Sequence, residues 1–385
     1  MNHDQRIVLN HLLHLLGPTT EQSEASHASQ AQSILNCAIV QGIGAVIFPI
    51  LHQQHRDQLA DQQGWSTMKE RFLNAALRNK LYMKQIQELL YRFQEAGIPV
   101  MVLKGIAIGR LYPKPEYRMM SDVDLYVQPE HWHKSMELLK AHGYTQTEPD
   151  DYNVLHIEFQ KTNAITVELH RNLIHTDHLG DRDKEGWYAE VWRRKQRYGL
   201  EQLQFEGMSI EDELIHQITH FAAHFVYYGT KLRHLFEMAL IASRYEDELD
   251  WAYMALMLKR LGFYPFACLL WRVCGHYFHT KVPHSFIEHV SEEVAVGFME
   301  DLLEHYSCEI EEGDTDSWLR VMNAVKPTYA TNQLQMWLLI AKVQYKTHGL
   351  KLPCMWQNGR RNVRAANKKI AVIRQYGLNG SRLVR

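Results

Sequence analysis

The sequence predicts an α+β fold, with a small mixed sheet held between an N-terminal and a C-terminal helical segment. Two observations carry that reading. Apolar residues recur at three- and four-residue steps before position 96 and again after about 176, whereas between those points they alternate with polar ones. Glycine and proline mark the changes of period, as they do where helices stop and strands begin. With 46% hydrophobic and 11% aromatic residues in 385, the chain has enough apolar surface for more than one core.

Residues 1–96 read as the N-terminal helical segment. "SQAQSILNCAIVQGIGAVIFPILHQQ" carries a helical stripe, and a longer helix follows in "STMKERFLNAALRNKLYMKQIQELLYRFQEAG". Its apolar positions Phe72, Leu73, Ala76, Leu77, Met83, Ile86, Leu90 and Phe93 fall largely on one face. Gly97 offers a left-handed stop and Pro99 discourages continuation.

Residues 97–175 read as the α+β core. "IPVMVL" is a buried strand broken by Lys104-Gly105, and "IAIGRLY" is a short helix ending before Pro113. "SDVDLYV" is the next strand, followed by a helix through "EHWHKSMELLKAHG" that ends at Gly143. "YTQTE", "VLHIEFQ" and "AITVELH" are further strands, the last two a hairpin through Lys161-Thr162-Asn163. Residues 176–350 read as a C-terminal helical domain, with Ser209 as an N-cap three residues before Asp212. Residues 351–385 form a basic tail.

The net charge of −2 conceals a split. From Ser317 to Arg385 there are 13 of the 42 Lys and Arg and no Asp or Glu, which leaves 29 basic residues against 44 acidic ones before it. Such a basic end suits a phosphate-rich partner such as a nucleic acid, and equally suits docking on the acidic body of its own chain. Five scattered cysteines (Cys37, Cys268, Cys274, Cys308 and Cys354) include no CxxC pair, which speaks against a zinc ribbon or a disulfide framework. No apolar run approaches the ~20 residues of a membrane helix, and the start has no secretory layout, so no membrane insertion and a cytoplasmic location are expected.

The chemistry concentrates in "SDVDLYV". Side chains alternate along a strand, so Val123, Leu125 and Val127 face a core while Asp122, Asp124 and Tyr126 share the other face. Two carboxylates ~6.5 Å apart along one strand repel unless a cation lies between them. In "AITVELH", Ile165, Val167 and Leu169 face inward, and Thr166, Glu168 and His170 face the other way. If the two strands pair, Glu168 joins Asp122 and Asp124 around one or two divalent cations, the layout of two-metal phosphoryl or nucleotidyl transfer. Glu168 is then a ligand or the base for the attacking hydroxyl. Lys104-Gly105 lies where a strand turns into a helix, a place where backbone N–H groups and a lysine suit a phosphate. Arg118, four residues before Asp122, can pair with phosphate or hold the aspartates.

Other patterns are weaker. His216, His220 and His224 follow one another at four-residue steps, but "HQITH" lacks the glutamate of HExxH and no cysteine stands nearby. Arg233 and Glu237 suit a helix pair, with Arg233 reaching nucleotide phosphates as the sharper alternative. Neither a GxGxxG nor a Walker A motif is present.

Together these residues resemble the uncharacterised nucleotidyltransferase family of the DNA polymerase β-type superfamily. The resemblance rests on Leu103-Lys104-Gly105, Leu111-Tyr112-Pro113, Arg118 with Asp122-Val123-Asp124-Leu125, and Val167-Glu168-Leu169-His170, in that order. It extends more faintly to His220, His224 and "KLRHLFEMAL" with Arg233. The wider superfamily has Gly-Ser where this chain has Lys104-Gly105, a departure shared by the branch it resembles. The resemblance implies a small mixed-sheet nucleotidyltransferase core. It also implies transfer of a nucleoside monophosphate from an NTP such as ATP, with Mg²⁺ (or Mn²⁺) on Asp122, Asp124 and Glu168. The implied nucleotide-binding set is Lys104, Gly105, Arg118, Ser121, His170 and Arg233. The acceptor stays open among a small molecule, a protein and RNA. A degenerate member that senses nucleotide without transferring it, or a nucleic-acid-binding protein, is the alternative.

Overall fold

The computed structural model describes residues 1–17, 27–59, 63–147, 155–174, 184–224 and 230–303. The basic tail, Cys308, Cys354 and the later part of the C-terminal helical segment lie outside the described residues.

Helices α1 (His3–Leu16), α2 (Ala31–Val40), α3 (Gly44–Gln54), α4 (Arg56–Leu59) and the long α5 (Gln63–Glu95) come first. Gly97 ends α5 with φ 65°, and the Ile98 N–H returns to the Phe93 carbonyl at 2.9 Å, so glycine supplies the left-handed turn expected of it. The α5 stripe holds at Met83, Ile86 and Phe93 and departs from the expected one before them. Ala75, Asn79, Met83, Ile86, Leu89 and Phe93 are buried, while Leu73, Leu77 and Leu81 are more than half exposed. Asn79 marks the departure: its amide donates to the Glu116 and Arg118 carbonyls at 3.2 and 3.0 Å, fixing a polar position inside the contact.

The core then runs β1 (Met101–Leu103), α6 (Gly105–Gly109), β2 (Asp122–Tyr126), α7 (Trp132–Ala141), β3 (Thr145–Gln146), β4 (His156–Gln160) and β5 (Thr166–His170). The five strands form one mixed sheet in the order β1-β2-β5-β4-β3, in which β2 and β5 are parallel and the other neighbours antiparallel. The β4–β5 hairpin turns through Asn163 at φ 57°, a conformation asparagine tolerates. The fold is thus the α+β class expected, a mixed sheet with many helices.

Helix α8 (Lys184–Arg194) leads into a second sheet of two strands, β6 (Gln196–Leu200) and β7 (Leu203–Gly207), inside a stretch that reads as helical in the sequence. Its two-residue turn places Glu201 at φ 53°, where glycine or asparagine is the usual signal, so the turn is silent in the sequence. Then follow α9 (Ile210–Ala223), α10 (Leu232–Arg244), α11 (Trp251–Leu261), α12 (Tyr264–Phe278), α13 (His284–Ile287) and α14 (Glu292–Asp301). Ser209 caps α9 by accepting from the Asp212 N–H at 3.2 Å, a contact of about 1 kcal/mol.

Two apolar cores result, and the sheet divides them. Val123, Leu125 and Val127 pack with α5, α7 and the β6–β7 hairpin. On the opposite face, Met101, Leu103 and Tyr126 join a core built from α1–α3 together with α9–α14, so the two ends of the described chain share one helical body. The strand alternation therefore sets the acidic face of β2 toward that helical body. Among the described residues no helix is long and apolar enough to cross a membrane.

Candidate active site

The parallel register of β2 and β5 places Asp124 beside Glu168 and Asp122 beside Thr166, so all three carboxylates lie on one face of the sheet. Two cationic side chains already stand among them. Lys104 Nζ is 3.2 Å from Asp124 Oδ1, and His170 Nε2 is 2.9 Å from the same oxygen and 3.4 Å from Glu168 Oε2. His156, across the β4–β5 pair from His170, brings Nδ1 to 3.7 Å from Glu168 Oε2. Ser121 Oγ–H donates to Asp122 Oδ2 at 3.1 Å.

These contacts sort the proton affinities. Burial pushes Asp124 up, but Lys104 and the His170 hydrogen bond outweigh it and hold the carboxyl well below the usual range. Asp122 is raised by burial and then by the nearby Asp124 charge. Glu168 is raised chiefly by burial, against the hydrogen bond from His170, with Asp124 adding to the rise. His170 is buried, which alone would lower it, yet its hydrogen bonds to Asp124 and Glu168 raise it above the ordinary histidine value.

Lys104 stands at φ 43°, a positive value that glycine usually takes. Such a conformation costs on the order of 1 kcal/mol and persists because the Asp124 contact and the β1–α6 junction hold it. Gly105 begins α6 and is buried; a Cβ there would meet Met120 Sδ at 3.7 Å and Arg118 Nη1 at 3.9 Å, ordinary contacts. The unusual backbone thus falls on the lysine and not on the glycine beside it.

Arg118 has a partner that its place in the sequence does not suggest. Its guanidinium is buried, with Nε 3.0 Å and Nη2 3.5 Å from the two oxygens of Glu237 on α10. Tyr112 O–H donates to the same Glu237 Oε1 at 2.8 Å. A buried guanidinium needs a counter-charge, and Glu237, 119 residues on, supplies it. Arg118 and Tyr112 therefore tie the loop before β2 to the helical body. Arg233 lies on the outer side of this carboxylate, Nε 3.8 Å from Glu237 Oε1, with its side chain 28% exposed.

Sequence reasoning missed Glu213 and the place of His234, and read His216 and His220 only as a weak pattern. Glu213 on α9 is buried, accepts from the Gln217 amide at 2.9 Å, and is raised by burial despite the charges of Lys104 and Arg118 nearby. His216, His220 and His234 lie close enough to feel one or other of the same charges. Only the four-residue histidine spacing hints at them. A cavity of about 530 Å³ between α3, α5 and the 114–119 loop is lined by Phe48, His52, Phe72, Lys69, Lys114 and Tyr117 among others, and by none of the three carboxylates.

None of the curated proteins matches this chain. Among solved structures, an antigenic nucleotidyltransferase-like protein from Paracoccidioides brasiliensis aligns over 54% of this chain and 97% of its own. The identity there is 12% and the TM-score 0.33, a level at which similarity carries no weight for fold or activity. The family model described as "uncharacterised nucleotidyltransferase" matches residues 27–279, a span that holds α2 through α12 and with them every carboxylate and cation of the site. By that match over well over half its length, the chain belongs to the uncharacterised nucleotidyltransferase family.

Proposed function

We propose that this chain moves a nucleoside monophosphate from an NTP, ATP among them, to a hydroxyl or phosphate acceptor, the new O–P bond forming at the α-phosphorus as pyrophosphate leaves. The observation that carries the reading is the register of β2 against β5, which sets Asp124 abreast of Glu168 with Asp122 on the same face. The donor set fits Mg²⁺ or Mn²⁺: these are carboxylate oxygens, the ligands such cations take, and Asp122 and Glu168 are carboxyls whose burial near Asp124 a dication would relieve. Asp122, Asp124 and Glu168 would hold the ion, which when bound supplies neutralisation of the triphosphate and polarisation at the reacting phosphorus.

The chain's own residues do the rest. Lys104 supplies a positive charge at Asp124, where the phosphates would enter. Arg233, partly exposed beside Glu237, is the second phosphate contact. Arg118, locked to Glu237, positions β2 rather than gripping phosphate. Glu168, with its proton affinity raised, accepts the proton of the acceptor hydroxyl, and His170 fixes the orientation of that carboxylate. Ser121 holds Asp122 by its hydroxyl.

One observation favours the second reading, a nucleotide sensor: Lys104 and His170 already balance Asp124 without any added ion. Incubation with α-labelled ATP, Mg²⁺ and a mixture of small-molecule, protein and RNA acceptors separates the two. Transfer predicts labelled acceptor that disappears in Glu168→Gln. Binding without label in the wild type would leave only the sensor.

A further inference from the structure

His220 and His224 stand one turn apart at the end of α9, and their Nε2 atoms face each other at 3.2 Å. His234, in the first turn of α10, completes a group whose candidate ligand nitrogens all lie within 4.8 Å of one another. We infer that His220, His224 and His234 form a binding site for a transition-metal cation of the zinc class, separate from the carboxylates of the sheet.

The geometry suits such an ion. A tetrahedral site with Zn–N bonds of ~2.0–2.1 Å sets its ligand nitrogens ~3.4 Å apart. The 3.2 Å between the two Nε2 atoms, both carried by the last turn of α9 and its C-cap, is close to that spacing. The ring of His234 lies 5.9 Å from that of His220 and 5.3 Å from that of His224, near enough to supply the third nitrogen. His234 Nδ1 lies 3.1 Å from Thr230 Oγ1, 3.2 Å from the Lys231 carbonyl and 3.3 Å from the Lys231 N–H. In the tautomer whose Nδ1–H donates to that carbonyl, the Nε2 lone pair is left for a metal.

The chemistry of the donors points the same way. Imidazole nitrogen is a ligand for zinc, cobalt, nickel or copper, not for magnesium, which takes oxygen. His216, with its ring centroid 6.1 Å from that of His220, stays outside the group. Three protein ligands leave a fourth position for water or another exchangeable ligand. An ion here would tie the end of α9 to the start of α10, the helix that carries Arg233 and Glu237.

The test uses the full chain without a histidine tag, stripped by chelator and titrated with Co²⁺ alone. The expected result is one equivalent that gives the intense visible bands of a four-coordinate site, displaced by Zn²⁺, beside any weakly absorbing Co²⁺ held by the carboxylates of the sheet. The bands are expected to vanish in His224→Gln and to persist in His216→Gln and in Glu168→Gln, the last of which disables the neighbouring His156–Glu168–His170 group on the sheet. Weak octahedral bands only, or bands unchanged in His224→Gln, would overturn the inference. Should His224→Gln fail to fold by circular dichroism, X-ray absorption on the zinc-loaded wild type decides. Three imidazole shells at ~2.0 Å support the site, and one or none refutes it.

Discussion

On the sheet, Asp124 is buried with Lys104 at 3.2 Å and His170 at 2.9 Å; these partners hold its carboxyl well below the usual range, and it in turn raises His170. On α9 and α10, His216 and His234 are buried and His220 half-buried among other imidazoles, and all three are held well below the ordinary histidine value. Both clusters avoid an uncompensated buried charge, the first by pairing and the second by giving up the proton. The difference sets what each can bind. A paired anionic face can exchange its internal cations for a metal and a triphosphate. A neutral cluster offers lone pairs and no charge.

The largest effect is expected where the two regions are joined. Glu237 neutralises Arg118 and accepts from Tyr112, so Glu237→Ala leaves a buried guanidinium without this partner. A loss of about 3–5 kcal/mol is expected in equilibrium urea unfolding. A loss below about 1 kcal/mol would mean that the helical body and the sheet do not depend on this contact.

The neutral side of the comparison makes a prediction about pH. His11 on α1 is lowered to about 4, by burial first and then by His14 and His55. The unfolded chain binds a proton near pH 6.5 that the folded chain refuses until about pH 4, so this contribution to stability is complete above about pH 6.5 and is lost as pH falls from there toward 4. His216, His220 and His234 act with the same sign. Urea midpoints should therefore drop between about pH 7 and 5, and His11→Phe should reduce the slope by about 1.4 kcal/mol per pH unit. A wild-type midpoint that stays flat over this range would contradict the assignment of these rings as neutral.

The charged side can be unbalanced directly. Lys104→Met removes the cation at Asp124 and leaves the positive-φ backbone as costly as before, because methionine also carries a Cβ. Mg²⁺ affinity, followed by calorimetry without nucleotide, is expected to rise by about tenfold, which is ~1.4 kcal/mol. Nucleotide affinity is expected to fall in the same protein. A fall in both would show that Lys104 supports the carboxylates instead of competing with the ion.

Much of the sheet is legible in the sequence because alternation is a local signal. The run Asp122-Val123-Asp124-Leu125 declares its two faces, and Val123 and Leu125 are buried as that alternation requires. Which strand lies beside it is not local, and the partnership of Asp124 with Glu168 rests on a parallel pairing that spans α7, β3 and β4. The partner of Arg118 is hidden for the same reason, since Glu237 comes from a helix 119 residues away. On α5, Leu73 and Leu77 fit a helical stripe as well as the buried residues do. Asn79 and the loop it holds select the face, through contacts that periodicity does not encode. The β6–β7 hairpin is hidden because Glu201 occupies the turn position without glycine or asparagine.

The central claim is that Asp122 and Asp124, with Glu168, hold a divalent ion together with a nucleotide. Isothermal titration of ATP in Mg²⁺ into the wild type and into Asp122→Ala/Asp124→Ala tests it most directly. The expected result is a saturable heat for the wild type that is lost in the double variant and in wild type given chelator. Equal heats from both proteins would contradict the claim.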